Sequence, residues 1–383
     1  MKTSIYRYLW LGNLLSTYTE IFYLFAVITI VYRKTESAWQ LAIITFLIII
    51  GKFIGNTLNS IMFKMKASVL QFVKTILLLI LVFYDSYQSV SLFFIQFVTL
   101  LVLVLNGLLQ QHSNILHSFI SNREDSMESA GFLSYLDQAI LLSGWFIAGM
   151  LFEKINSEGI LIVTCILSLI CLIIFFSVPQ RKKSIYQKSF MDRMIGVKKY
   201  FHLTKFHFIY VLETIIKIVW IASILYLFVH LELKKGEFWW GIVNAVFFIG
   251  MVLAHFIQKK FHSTLVKFQY QMIFIFCSVI SIVLLLLAIN RSLIIVLFLF
   301  LVASFCNQLK ENLVYSAFIE KINPNKLTSI LDSQGTTMTI LMAISVLVTG
   351  YIVEQFGVQL VYFIACVFSF ITIPIYYFGK IIK

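Results

Sequence analysis

The chain has 383 residues, 60% of them hydrophobic and only 12% charged, with a formal net charge of +13. A soluble protein of this length carries about a quarter charged residues, and no water-facing surface could be built around 38 Phe, 18 Tyr and the accompanying Ile and Leu. The composition therefore excludes a soluble enzyme or a secreted scaffold and is that of a multi-pass membrane protein with little mass outside the bilayer.

Apolar runs of spanning length are predicted at 8–31, 39–63, 69–84, 91–120, 130–152 and 159–178, then at 207–230, 238–258, 268–289, 292–319, 329–353 and 358–378. Hydrocarbon offers no partner to an unpaired backbone amide, so each run must be a helix. The expectation is an all-α membrane protein of twelve transmembrane helices. Lys and Arg set its orientation: 21 fall in the segments assigned to the cytoplasm, including Lys64 and Lys74, and 6 in the external loops. Positive charge concentrates inside, which places both termini in the cytoplasm; the expected location is a bacterial inner (plasma) membrane.

Ionisable side chains near the bilayer centre are costly, and they are the functional candidates by default. In the first span, Glu20 lies about 18 Å along the helix, close to the midplane of a ~30 Å core. It reads as a proton-responsive acid with Thr17, Tyr18 and Tyr23 around it; the alternative is a carboxyl held neutral, or paired with one base, for assembly. Lys52 interrupts the second span and is expected to snorkel toward the cytoplasm. The fourth span carries a polar stripe of Asn106, Gln110, Gln111, His112, Asn114 and His117, of which Gln110 and Asn114 are candidates to line a cavity. Asp137 in the fifth span is a second proton-coupling candidate, with Lys52 or His255 as its structural partner otherwise.

The segment 179–206 holds eight Lys and Arg against the single acid Asp192. It reads as a basic cytoplasmic linker, either flexible or carrying an interfacial helix on anionic lipid. It separates bundles predicted at 1–178 and 207–383. In the seventh span, Glu213 and Lys217 stand at i and i+4, a spacing that allows an ion pair along one helix face. Glu213 is the third proton-coupling candidate, and Lys217 could dock an anionic substrate. Tyr18, Tyr23, Trp220 and Tyr226 could stack on a flat or cationic ligand. Lys310 and Glu311 are expected near the cytoplasmic end of the tenth span as gating contacts, and Asp332 begins the eleventh.

The two halves echo one another. Gly149-Met150-Leu151-Phe152-Glu153 recurs as Gly350-Tyr351-Ile352-Val353-Glu354, 201 positions on, and Gly51 recurs as Gly250. Six spans per half insert both halves with the same orientation, which predicts parallel six-helix bundles with a substrate site at their interface. The five cysteines lie in apolar runs without metal-site spacing and read as small apolar fillers. There is no G-x-x-x-x-G-K-[ST], H-E-x-x-H or G-x-S-x-G. No enzyme activity, cofactor or metal is expected.

Four stretches carry a family resemblance: Tyr6-Arg7-Tyr8-Leu9-Trp10-Leu11-Gly12-Asn13-Leu14-Leu15-Ser16; Val31-Tyr32 with Thr35-Glu36-Ser37-Ala38; Gly144-Trp145-Phe146-Ile147-Ala148-Gly149; and Asn323-Pro324-Asn325-Lys326-Leu327. Together they resemble the major facilitator superfamily, in its macrolide-efflux and enterobactin-exporter-like branch. There the acidic position of the first span matches Glu20. The sequence departs from the branch where the loop between spans two and three keeps only Gly55 and Lys64 of its motif, with Asn59 and Ser60 at the Asp and Arg positions. Trp145 also replaces the fifth-helix Pro. The resemblance implies the major facilitator fold, a gating role for Lys64, and proton-coupled export of a small amphipathic or chelating molecule (a drug, a macrolide-like compound or a siderophore) by alternating access. Its expected partners are that substrate, protons and membrane lipid, not nucleic acid, with the chain acting as a monomer. The alternatives are a lipid or lipid-linked flippase, and a non-transporting sensor or immunity protein of the same fold.

Overall fold

The computed structural model describes residues 2–62, 66–85, 91–120, 126–177, 204–321 and 324–378, with side chains placed within 10–58, 66–83, 91–110, 138–177, 208–317 and 330–376. The described residues are helical, without strands. The helices are α1 (Lys2–Thr35), α2 (Ala38–Met62), α3 (Ala67–Asp85), α4 (Leu92–Ile120), α5 (Ser126–Phe176) and α6 (Thr204–Lys217). Then follow α7 (Ala222–Leu227), α8 (Glu237–Lys267), α9 (Gln269–Ile289), α10 (Leu293–Lys321), α11 (Pro324–Phe356) and α12 (Val358–Phe378).

Among the described residues nine helical stretches are long and apolar enough to cross a membrane, and α6 with α7 makes a tenth, bent by 43°. α3 contributes a shorter apolar helix, Ala67–Phe83. α5 holds two crossings, because Asn156 (φ 55°, ψ −172°) breaks its helical path. All twelve predicted spans thus have a counterpart. The outer faces expose Phe93, Phe176, Ile294 and Phe298, as a chain solvated by lipid tails permits.

The chain divides into two compact units, Met1–Ser189 and Phe190–Lys383; most of the predicted linker lies outside the described residues. In the N-terminal unit α1 packs on α5, α2 on α4, and α3 on both α4 and α5. The C-terminal unit repeats the scheme: α6 packs on α11, α8 on α10, and α9 on α10 and α12.

The repeat is visible in detail. A Cβ on Gly51 would touch Leu103 Cβ at 3.0 Å and the Leu100 carbonyl at 3.2 Å; one on Gly250 would collide with the Leu301 carbonyl and Ser304. Each glycine lets two backbones approach at the same helix pairing. Positive φ occurs at Glu36 (50°) and Lys234 (50°), 198 positions apart, and at Asn156 (55°) and Gly357 (85°), 201 apart. All four mark the ends of corresponding spans. At two of them the amide caps the finished helix, Glu36 to the Tyr32 carbonyl and Gly357 to that of Val353. Ser168 meets Thr75 at 2.8 Å, and Ser369, 201 positions on, accepts from Ser281 at 2.7 Å. All five cysteines are buried and free.

Candidate functional site

In each unit, ionisable side chains on different helices pair with one another. In the C-terminal unit, α6 presents Glu213 and Lys217 one turn apart, and α10 presents the adjacent Lys310 and Glu311. Lys310 Nζ lies 2.6 Å from Glu213 Oε2, with both side chains almost completely buried. The Tyr376 hydroxyl on α12 donates to Glu213 Oε1 at 3.3 Å. Lys217 instead reaches Glu311 at 3.1 Å, in a half-exposed pair, and Asn307 Nδ2 donates to the same Glu311 oxygen at 2.6 Å. The i, i+4 pair that the spacing allows between Glu213 and Lys217 does not form. Each residue takes a partner on α10, since a pairing across helices satisfies four charges at once where the local one would satisfy two. Lys310 is also not at a helix end: eleven residues of α10 follow it, and its side chain belongs to the interior.

The span containing Glu213 is broken just beyond this cluster. Ile218–Trp220 is a 3₁₀ turn and Ile221 is extended (φ −71°, ψ 138°), so the ladder of backbone bonds is interrupted. Side chains engage the flanking carbonyls: the Tyr362 hydroxyl donates to Val219 at 3.3 Å and Trp240 Nε1 to Ala222 at 2.9 Å. Trp220 packs edge-on against Phe300, and its own Nε1 is buried without a hydrogen-bond partner among the described residues. Tyr226 is sealed between His230 and Trp240. It is a core residue here, not the open stacking surface the sequence suggests.

In the N-terminal unit Glu20 on α1 forms an ion pair with Lys52 on α2, both partly exposed. Lys52 thus turns to a carboxylate. The Tyr18 hydroxyl meets Ser143 Oγ at 2.5 Å. Tyr23, 1% exposed, donates to Thr99 Oγ1 at 2.9 Å; burial between α1 and α4 takes it out of reach of a ligand. Gln110 is exposed on α4. The side chains of Asp137 and Asn114, and Lys64 altogether, lie outside the described residues.

Lys74 is the residue that sequence reasoning misplaces. Counted above among the cytoplasmic charges, it lies within α3 and is 1% exposed. Its position five residues inside the predicted run 69–84 is the signal that could have found it.

These helix pairings and charge clusters can be set against known proteins. No protein-family profile matches the chain. Over 390 residues it is 25% identical to an uncharacterized MFS-type transporter, YfmI, of Bacillus subtilis (strain 168), covering 94% of this chain and 92% of the relative. Among solved structures it is similar to a bacterial homologue of the iron transporter ferroportin in an inward-facing state (TM-score 0.74, 14% identity, all of both chains). It is also similar to the nucleoside transporter NupG (TM-score 0.65, 14% identity, 97% of this chain and 99% of that one). The fold is that of an MFS-type transporter. The human organic anion transporter MFSD10 is a further structural neighbour (TM-score 0.62, 12% identity, 97% of this chain and 98% of that one). These neighbours are named for unlike cargoes, so the shared fold leaves the substrate class of this chain open.

Proposed function

We propose that the chain is a secondary active transporter, driven by protons, that exports a small amphipathic or chelating organic molecule from a bacterial cytoplasm by alternating access. The observation that carries this reading is the buried Glu213–Lys310 pair with Tyr376 on its second oxygen. Taking two charges out of water costs several kcal/mol per ion before their attraction offsets it, and an apolar pair of similar volume is often as stable. A membrane bundle gains little stability from such a pair. It gains a carboxylate that releases its lysine when protonated, and so a way to link proton binding to helix movement. The Glu20–Lys52 pair offers the same chemistry in the N-terminal unit. The relative from Bacillus subtilis, matched over nearly the full length, supports transport itself.

Everted membrane vesicles from cells making the chain test this reading. With the lumen acidified they should accumulate ethidium or erythromycin faster than control vesicles, and collapse of the pH gradient should remove the difference. Equal accumulation with and without the chain, across both probes, would overturn the proposed cargo class and driving force.

A further inference from the structure

Lys217 and Glu311 are paired but not enclosed: both side chains are more than a third exposed. Lys217 is the tenth residue of the apolar stretch Phe208–Glu232, which at about 1.5 Å per residue puts it near the middle of a ~30 Å core. Charges exposed at that depth face water, since turning them to hydrocarbon is costly. The pair therefore marks a wetted face of the C-terminal unit, unlike the enclosed Glu213–Lys310 pair beside it.

An aromatic surface adjoins it. Lys217 enters the 3₁₀ turn Ile218–Trp220 with φ −65° and ψ −17°, and in such a turn side chains three apart lie one above the other. Lys217 and Trp220 thus point to the same side, and both meet α10. Lys217 reaches Glu311 at 3.1 Å; Trp220 lies edge-on to Phe300 with ring centroids 5.6 Å apart. Phe300, Asn307 and Glu311 are spaced by seven and four residues, so they form one stripe of α10. Phe247 on α8 comes within 5.5 Å of the Trp220 ring at an interplanar angle of 33°, and both rings are partly exposed. The Trp220 Nε1 has no hydrogen-bond partner among the described residues, so ring contacts alone set the tilt of the indole.

We propose that this face binds a flat aromatic zwitterion: an aromatic α-amino acid, or an amphipathic molecule that ends in one. The inference names the cargo class of the transporter reading and rests on it. A site holding one cation and one anion is matched by a ligand carrying one of each. The ligand's carboxylate takes Lys217, its ammonium takes Glu311, and no charge is left alone. A ligand with a single charge would split the pair and strand one half of it. Lys217 Nζ and Glu311 Oε1 stand 3.1 Å apart, a separation that suits an ammonium and a carboxylate borne on one carbon. Asn307 Nδ2, which already donates to Glu311 at 2.6 Å, keeps that carboxylate oriented when Lys217 leaves it. The ligand's ring lies against Trp220 and Phe247, where aromatic contact and apolar burial favour it.

Binding of tritiated L-tryptophan to the purified full chain in detergent, read by scintillation proximity, tests this without any need for flux. Tryptamine and indole-3-propionate are competitors that keep the indole but carry the ammonium or the carboxylate alone. L-Alanine keeps both charges and lacks the ring. L-Tryptophan should bind about tenfold or more tightly than each of the three. Lys217→Ala should bring L-tryptophan and tryptamine to within about twofold of one another, a convergence that a merely structural lysine would not produce. Equal affinity of the three indoles, tighter binding of a singly charged one, L-alanine matching L-tryptophan, or no saturable binding of L-tryptophan would each overturn the inference. With pH-driven accumulation of ethidium or erythromycin still present in the everted vesicles, those results leave the transport reading intact. Absence of that accumulation in the unaltered chain would instead remove the transport reading, and the cargo assignment with it.

Discussion

Lys310 Nζ sits 2.6 Å from Glu213 Oε2 with almost none of either side chain exposed, and the two residues come from helices 97 positions apart in sequence. Each is tolerable because the other is there. Lys310→Met leaves Glu213 enclosed without its counter-charge and should destabilise the protein by about 3–5 kcal/mol. Glu213→Gln with Lys310→Met removes both charges and should recover most of that loss. Thermal unfolding in detergent of the single and double variants decides it; a double variant no more stable than Lys310→Met would contradict the pairing.

The neighbouring Lys217–Glu311 pair, 3.1 Å apart but more than a third exposed on both sides, should behave differently. Solvent screens it, so Lys217→Ala should cost less than about 1 kcal/mol. Melting temperatures of the variant and the unaltered chain should therefore nearly coincide, and a loss as large as that of Lys310→Met would show that the pair is as dry as its neighbour.

Close packing of α2 on α4 depends on glycine. A methyl at Gly55 would collide with the Val104 carbonyl and press on Gly107, so Gly55→Ala should cost about 1–3 kcal/mol through forced separation of the helices. Gly335, where an added methyl would meet nothing within 4 Å, is the internal control. Gly335→Ala should leave thermal stability unchanged or slightly raised.

Bracing of the broken span is testable at Tyr362. Tyr362→Phe keeps the ring against Phe228 but removes the donor to the Val219 carbonyl. The expected cost is about 1 kcal/mol, with faster amide hydrogen exchange confined to residues around Ile221. Unchanged exchange there would mean the break needs no brace.

Much of this architecture can be read from residues alone, and the reasons differ from place to place. Span positions follow from apolar run length, and the Gly51–Gly250 echo points to matching helix contacts because only glycine permits such approach. Glu20 stands out because a carboxylate inside an apolar run has few explanations. Its partner Lys52 and the pairing of Glu213 with Lys310 do not follow from spacing. The i, i+4 rule sees only one helix, and it points from Glu213 to Lys217, whereas the packing of three helices decides which cation arrives. Lys74 is hidden for a related reason. A lysine near the end of a short apolar run reads as a loop charge until the neighbouring helices close over it.

Proton coupling through Glu213 is the central claim, and one measurement reaches it directly. Glu213→Gln keeps the size of the side chain and its capacity to accept hydrogen bonds but cannot gain or lose a proton in the working range. In everted vesicles holding equal amounts of folded protein, erythromycin accumulation by the unaltered chain should rise with the imposed pH gradient, while accumulation by the variant should not respond to it. A variant that follows the gradient as the unaltered chain does would contradict the account.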